Sequence, residues 1–149
     1  MYVPPAFRDD GLASLHATMR AARLCSFVTA TAQGLVATPL PALIDETEGE
    51  HGVLYGHVAR ANPQWRNPPA GEAMAIFMGP DAYVTPSWYA TKRATGKVGP
   101  TWNYVAVHAY GPVEFFEDAD RLLGIVTRLT DLHEGPRAGP WAVTDAPAD

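Results

Sequence analysis

The residues best equipped for chemistry stand in one short run, His57-Val58-Ala59-Arg60-Ala61-Asn62-Pro63-Gln64-Trp65. Asn62 is a strong N-cap and Pro63 suits the first helical position, so a short helix is expected directly after a strand. Arg60 then sits beside the positive end of that helix. Free backbone N–H groups, the helix dipole and a guanidinium together make an anion site, and phosphate oxygens can meet a guanidinium bidentately. The same residues also read as an ordinary capped helix with a surface arginine.

A second set is aromatic and amide-rich: Tyr83, Trp88, Tyr89, Trp102, Asn103 and Tyr104. Indole and phenol rings offer flat apolar contact with one polar handle each, which suits a ring-shaped cofactor and a subunit interface equally. His57 and His108 carry the right side chain for acid–base chemistry near neutral pH; a satisfied core or interface histidine is the alternative role for both. The chain has no glycine-rich dinucleotide loop, no phosphate-binding Walker motif and no Cys/His zinc spacing. Ser87 lacks the flanking glycines of a hydrolase elbow.

These residues need elements to hold them. From Lys97 to Gly111 the sequence alternates at period two, with Trp102, Tyr104, Ala106, His108 and Tyr110 on one face and Asn103, Val105, Val107 and Ala109 on the other. That predicts one long strand, its valine face turned to the core. Leu12, Leu15, Met19 and Ala22 predict an amphipathic helix over Gly11 to Ala22, capped by Asp9 and Asp10, with His16 on its rim. Strands are expected over Leu24 to Ala32 and Leu35 to Ile44, joined by a turn at Gln33-Gly34. Pro39 and Pro41 make the second of these an edge strand. Further strands are expected over Gly52 to Val58, Ala73 to Met78 and Ala82 to Thr85, the last two separated by a turn at Gly79-Pro80-Asp81. Asp45 to Glu50 reads as a solvated acidic loop and Ser87 to Gly96 as a polar connection. Leu122, Ile125, Val126 and Leu129 give a closing helix, Asp118 to Asp131, a buried stripe. An irregular tail follows from about His133 to Asp149. Short strands, tight turns and few helices predict a closed or nearly closed antiparallel barrel.

Bulk properties narrow the classes. A chain of 149 residues is one domain by length and can bury a core without metals or disulfides. Its formal charge of −5 disfavours nonspecific nucleic-acid binding. The one cysteine, Cys25, fits a buried spectator in a reducing compartment. Without a signal-peptide pattern or a membrane-length apolar run, the cytoplasm is the expected location.

With these residues in view, the sequence resembles the PaiB family of FMN-binding negative transcriptional regulators. The resemblance rests on Met1-Tyr2-Val3-Pro4-Pro5-Ala6-Phe7, on Gly56 to Trp65, on Gly79-Pro80-Asp81-Ala82-Tyr83-Val84-Thr85-Pro86-Ser87-Trp88-Tyr89, and on Pro100-Thr101-Trp102-Asn103-Tyr104 running to His108. It implies a mainly β, α+β fold, the FMN-binding split barrel, of antiparallel Greek-key type with a few flanking helices. It also implies a homodimer with FMN at the subunit interface. Arg60 and Asn62 would contact the phosphate end, with His57 on the strand leading to them. Trp102 and Asn103 would lie near the ring, Thr38 would add a phosphate or ribityl contact, and Lys97 is a further candidate. Two departures stand out. Where the family has Thr-His-Leu-Pro this chain has Thr38-Pro39-Leu40-Pro41, and family members continue past the equivalent of Asp149, which implies either a truncated chain or a shortened relative. Transcriptional repression is the function the resemblance implies. A flavin-dependent oxidoreductase and a dimeric barrel without flavin are the alternatives, and direct DNA contact is not supported by the charge.

Overall fold

Apolar residues at helical spacing after Gly11 give the first helix, α1 (Leu12–Ala22), which turns Met19 into the core. The chain then alternates at period two through β1 (Leu24–Thr31), turns through Ala32 and Gln33, and returns as β2 (Gly34–Pro41) in full antiparallel register. In this computed structural model, which describes residues 1–147, two longer strands complete the main sheet: β5 (Ala73–Val84) and β6 (Thr101–Gly111). The order is β2-β1-β5-β6, so Pro39 and Pro41 lie on an edge strand, as expected from their missing donors. Two short strands, β3 (Leu43–Asp45) and β4 (Val53–Tyr55), pair in a separate sheet.

One row of side chains shows how the sheet builds its core. Leu40 pairs with Cys25, Cys25 with Phe77, and Phe77 with Val107, and all four are buried, Phe77 completely. Met19 of α1 packs onto them. Burial raises the Cys25 thiol to about 11, which keeps it protonated and inert at neutral pH. The next row, Ser26, Ile76 and His108 with Pro39 at its end, points to the opposite face.

The mainly β, α+β expectation holds, and the arrangement is of the split-barrel type. Its ladder is not closed among the described residues, because the chain leaves β2 at Pro41 and pairs β3 with β4 instead. The two strands expected at Ala73 to Met78 and Ala82 to Thr85 are one: β5 crosses Gly79-Pro80 as a bulge between Met78 and Asp81. A Cβ at Gly79 would lie 3.1 Å from Cβ of Val105, so the bulge depends on a residue without a side chain. Beyond it, Asp81–Val84 and Thr101–Tyr104 pair only with each other, as a two-stranded ribbon. The long strand begins at Thr101 rather than Lys97. The connection at its far end contains a short helix, α2 (Ala90–Thr95), closed by Gly96 at φ +70°.

Polar residues depart from expectation for local reasons. Asp9 binds the Gly11 N–H and the Ser14 hydroxyl, and Asp10 pairs with Arg8, so neither caps α1; Gly11 is the N-cap. His16 is buried rather than on the rim. Its Nε2 donates to the His51 carbonyl oxygen at 2.9 Å, and its Nδ1 lies 3.4 Å from Glu46. The acidic loop is a clamp: Glu46 pairs with Arg20 of α1, and Asp45 binds Arg128 of the third helix, α3 (Ala119–Glu134). α3 is capped by the Asp118 carboxylate and buries Ile125 and Leu129. The tail includes a single helical turn over Val143–Asp145. No helix among the described residues is long and apolar enough to cross a membrane.

Candidate functional site

Asn62 caps the expected short helix, a single 3-10 turn over Pro63–Arg66: its Oδ1 accepts the Gln64 N–H at 2.9 Å. The same turn drives Gln64 completely out of solvent, under β1 and β2. There Gln64 Nε2 donates to Thr29 Oγ1 at 3.0 Å and approaches the carbonyl oxygens of Val36 and Phe27 at 3.3 and 3.4 Å. Its Oε1 accepts the Thr38 hydroxyl at 2.6 Å, and Thr38 in turn accepts from Asn62 Nδ2 at 2.9 Å. Thr38, Asn62 and Gln64 are therefore one polar joint that fixes the turn to the sheet. Thr38 has one hydroxyl proton, and Gln64 takes it. Gln64 stood in the recognised run without a role. Its signal was the Asn-x-Gln spacing, which lets one cap hold the backbone while its neighbour is driven inward.

Arg60 precedes this joint. Its carbonyl oxygen accepts from Trp65 Nε1 at 3.1 Å and from the Arg66 guanidinium at 3.4 Å, so its backbone is held. Its side chain is free: 87% exposed, with Glu117 as nearest carboxylate at 3.9 Å. Arg60 lines a cleft of about 140 Å³ together with Gly56, His57, Trp65, Phe116 and Glu117. Gly56 is needed at its floor, since a Cβ there would lie 2.7 Å from Leu40 Cδ1 and 3.2 Å from the Pro41 carbonyl oxygen. His57 is exposed and also borders a second groove, about 270 Å³, between Pro41, Leu129, His133 and Trp141.

The remaining expected site residues lie elsewhere. Trp102 and Asn103 are exposed on the ribbon, with Trp102 tilted against Tyr83 at 6.1 Å and its Nε1 donating to Asp81 at 2.8 Å. They fall on opposite faces of β6, and Lys97 lies in the loop before it. Neither cleft is lined by Lys97, Trp102 or Asn103. From β2, which carries Thr38, to β6 is three strand spacings of roughly 4.8 Å each. One chain thus holds the expected residues in two separate groups: an arginine-bearing cleft and an aromatic ribbon. Pro39, where the family pattern has histidine, belongs to neither group. It lies in the outward row with Ser26, Ile76 and His108, pointing away from Thr38. Burial, and then the N-terminal ammonium, lower the pKa of His108 in that row.

The whole chain, residues 1–149, matches the family described as "Putative FMN-binding domain". The chain belongs to that FMN-binding family. Among similar proteins, the "Protease synthase and sporulation protein PAI 2" of Bacillus subtilis is 33% identical over 141 residues, 94% of this chain and 65% of that protein. An uncharacterized protein of Saccharomyces cerevisiae is 32% identical over 106 residues, 70% of this chain and 63% of its own length. One from Aspergillus fumigatus is 37% identical over 129 residues, covering 64% and 49%. The chain therefore spans about half to two thirds of the length of these relatives. FMN is the cofactor that goes with the family, and the donor set fits its chemistry. A free guanidinium suits the phosphate, and indole, phenol and amide groups suit the ring system. Both of these clefts are smaller than the roughly 300 Å³ at which enclosed ligand sites begin.

Proposed function

We propose that this chain is the FMN-holding part of a PaiB-type protein of negative transcriptional control, acting in the cytoplasm as a homodimer with FMN held between subunits. The observation that carries this reading is the separation of the site residues into two groups. Arg60 and the backbone around Asn62 receive the phosphate in one subunit, with His57 beside them and Thr38 beneath. Trp102 and Asn103 of the other subunit flank the ring, and Lys97 supplies a second cation. Bound FMN supplies reversible electron transfer at its isoalloxazine ring, while the protein binds, orients and shields it. A free, buried Cys25 accords with a reducing compartment.

The test is visible absorption before and after FMN is added and the protein desalted. Two flavin bands that survive desalting are expected, and a colourless protein overturns the reading. Arg60→Ala should weaken FMN binding about ten- to a hundredfold, the worth of a charge-assisted hydrogen bond. Because the side chain is exposed, the unfolding midpoint should stay in place.

A second reading, a flavin-dependent oxidoreductase, is favoured by charge. The net −5 and the mixed acids and bases of α3 do not offer the basic recognition helix of a DNA reader. Titration of labelled duplex DNA, run beside steady-state NAD(P)H oxidation by the FMN-loaded protein, separates the two. Salt-sensitive binding supports direct regulation, and turnover without DNA binding supports the enzyme.

A further inference from the structure

Three of the eleven basic residues of this acidic protein stand close together, with no acid near them in sequence. Between Asp81 and Glu114 the chain has no Asp or Glu, yet it carries Lys92, Arg93 and Lys97, and the two lysines are the only ones in the sequence. All three cations are exposed around α2, at the far end of the ribbon, and none forms an ion pair among the described residues. The opposite charge gathers at the other group of site residues. Glu114 and Glu117 line the Arg60 cleft, and Asp118 and Asp120 follow at the start of α3, all exposed. Glu114 pairs with Arg121 at 2.8 Å and Asp118 caps α3, whereas Glu117 is only loosely matched, at 3.9 Å from Arg60, and Asp120 has no ion-pair partner among the described residues.

The ribbon itself asks for a partner. Two strands alone are marginally stable in water, and these expose Tyr83, Trp102, Tyr104 and Val105 by 45% or more. In a two-fold dimer each surface patch is used twice, so a cationic tip and an acidic rim on one chain can satisfy each other reciprocally.

We propose that the cationic turn at Lys92, Arg93 and Lys97 docks on the acidic rim formed by Glu114, Glu117, Asp118 and Asp120 of a second copy, so that each Arg60 cleft is completed in trans. The occupant of the ribbon is another molecule of this chain, and charge sets the register in which the two meet. The inference rests on the two-subunit reading above and adds to it which surfaces face each other.

A charge swap tests it, read by sedimentation velocity on the FMN-supplemented chain across protein and salt concentrations. Lys92→Glu/Arg93→Glu gives an acidic tip against an acidic rim; Glu117→Lys/Asp120→Lys gives a basic tip against a basic rim. Each variant alone should dissociate about ten- to a hundredfold more readily than the parent. An equimolar mixture should recover the dimer, because both contacts of the mixed pair are then complementary. The parent dimer should weaken as salt rises. A parent that is monomeric throughout overturns the two-subunit reading and this proposal with it. A parent dimer that neither variant weakens, or variants that mixing does not rescue, overturns the docking and leaves the two-subunit reading standing.

Discussion

Gln64 carries more of this structure than its place beside the candidate phosphate site indicates. It has no solvent exposure and ties the helical turn to both strands of the first hairpin. Gln64→Ala should leave the Thr38 hydroxyl proton without its acceptor and the Thr29 hydroxyl oxygen without its Gln64 donor, beside a small void. A loss of about 2–4 kcal/mol is expected, seen as a lower urea midpoint at an unchanged slope. Asp45 gives a pH signature. The Thr47 hydroxyl, then the Thr47 N–H, then Arg128 hold its carboxyl near 2, below the ordinary value of about 3.9. The folded pKa is depressed, so this stabilisation is complete above about pH 4 and disappears as pH falls through about 2. Asp45→Asn should therefore lower the melting temperature at pH 7, with the difference vanishing near pH 2.

At the scale of elements, the bulge at Gly79 decides how the ribbon leaves the sheet. Gly79→Val would press a branched side chain onto Val105, already 3.1 Å from where its Cβ would stand. A cost of about 1–3 kcal/mol is expected. Amide exchange should quicken in Asp81–Val84 and Thr101–Val105 while Phe77 and Val107 stay protected. This element also marks what the sequence made legible. Period-two alternation located β6, capping chemistry located the Asn62 turn, and the prolines placed β2 on an edge, since each is a local rule. Gly79-Pro80 was misread as a turn because glycine and proline serve turns and bulges alike, and only the pairing partner Val105 distinguishes them. His16 and the acidic loop were misread for a related reason. Their partners lie 35 residues apart in the case of His16 and His51, and 83 in that of Asp45 and Arg128. The candidate site was legible in its residue types through the family motifs. That Thr38, Arg60 and Asn62 lie apart from Trp102 and Asn103 was not, because separation in space is set by strand order.

For the whole molecule, the outward face of the main sheet is a second exposed apolar surface, beside that of the ribbon. Ile76 and His108 share a row there, with Met78 and Tyr110 exposed by 53% and 57% beside them. Met78→Lys should weaken self-association in sedimentation experiments and leave the circular dichroism spectrum of the fold unchanged, since Met78 lies outside the buried core cluster. The sheet also has two unlike edges. β2 has no N–H at Pro39 and Pro41, while β6 offers an unbroken backbone from Thr101 to Gly111. In the language of polymer chemistry the two edges differ in reactivity: strand addition is favoured at β6, where every backbone N–H is present, over the end of β2 that carries Pro39 and Pro41.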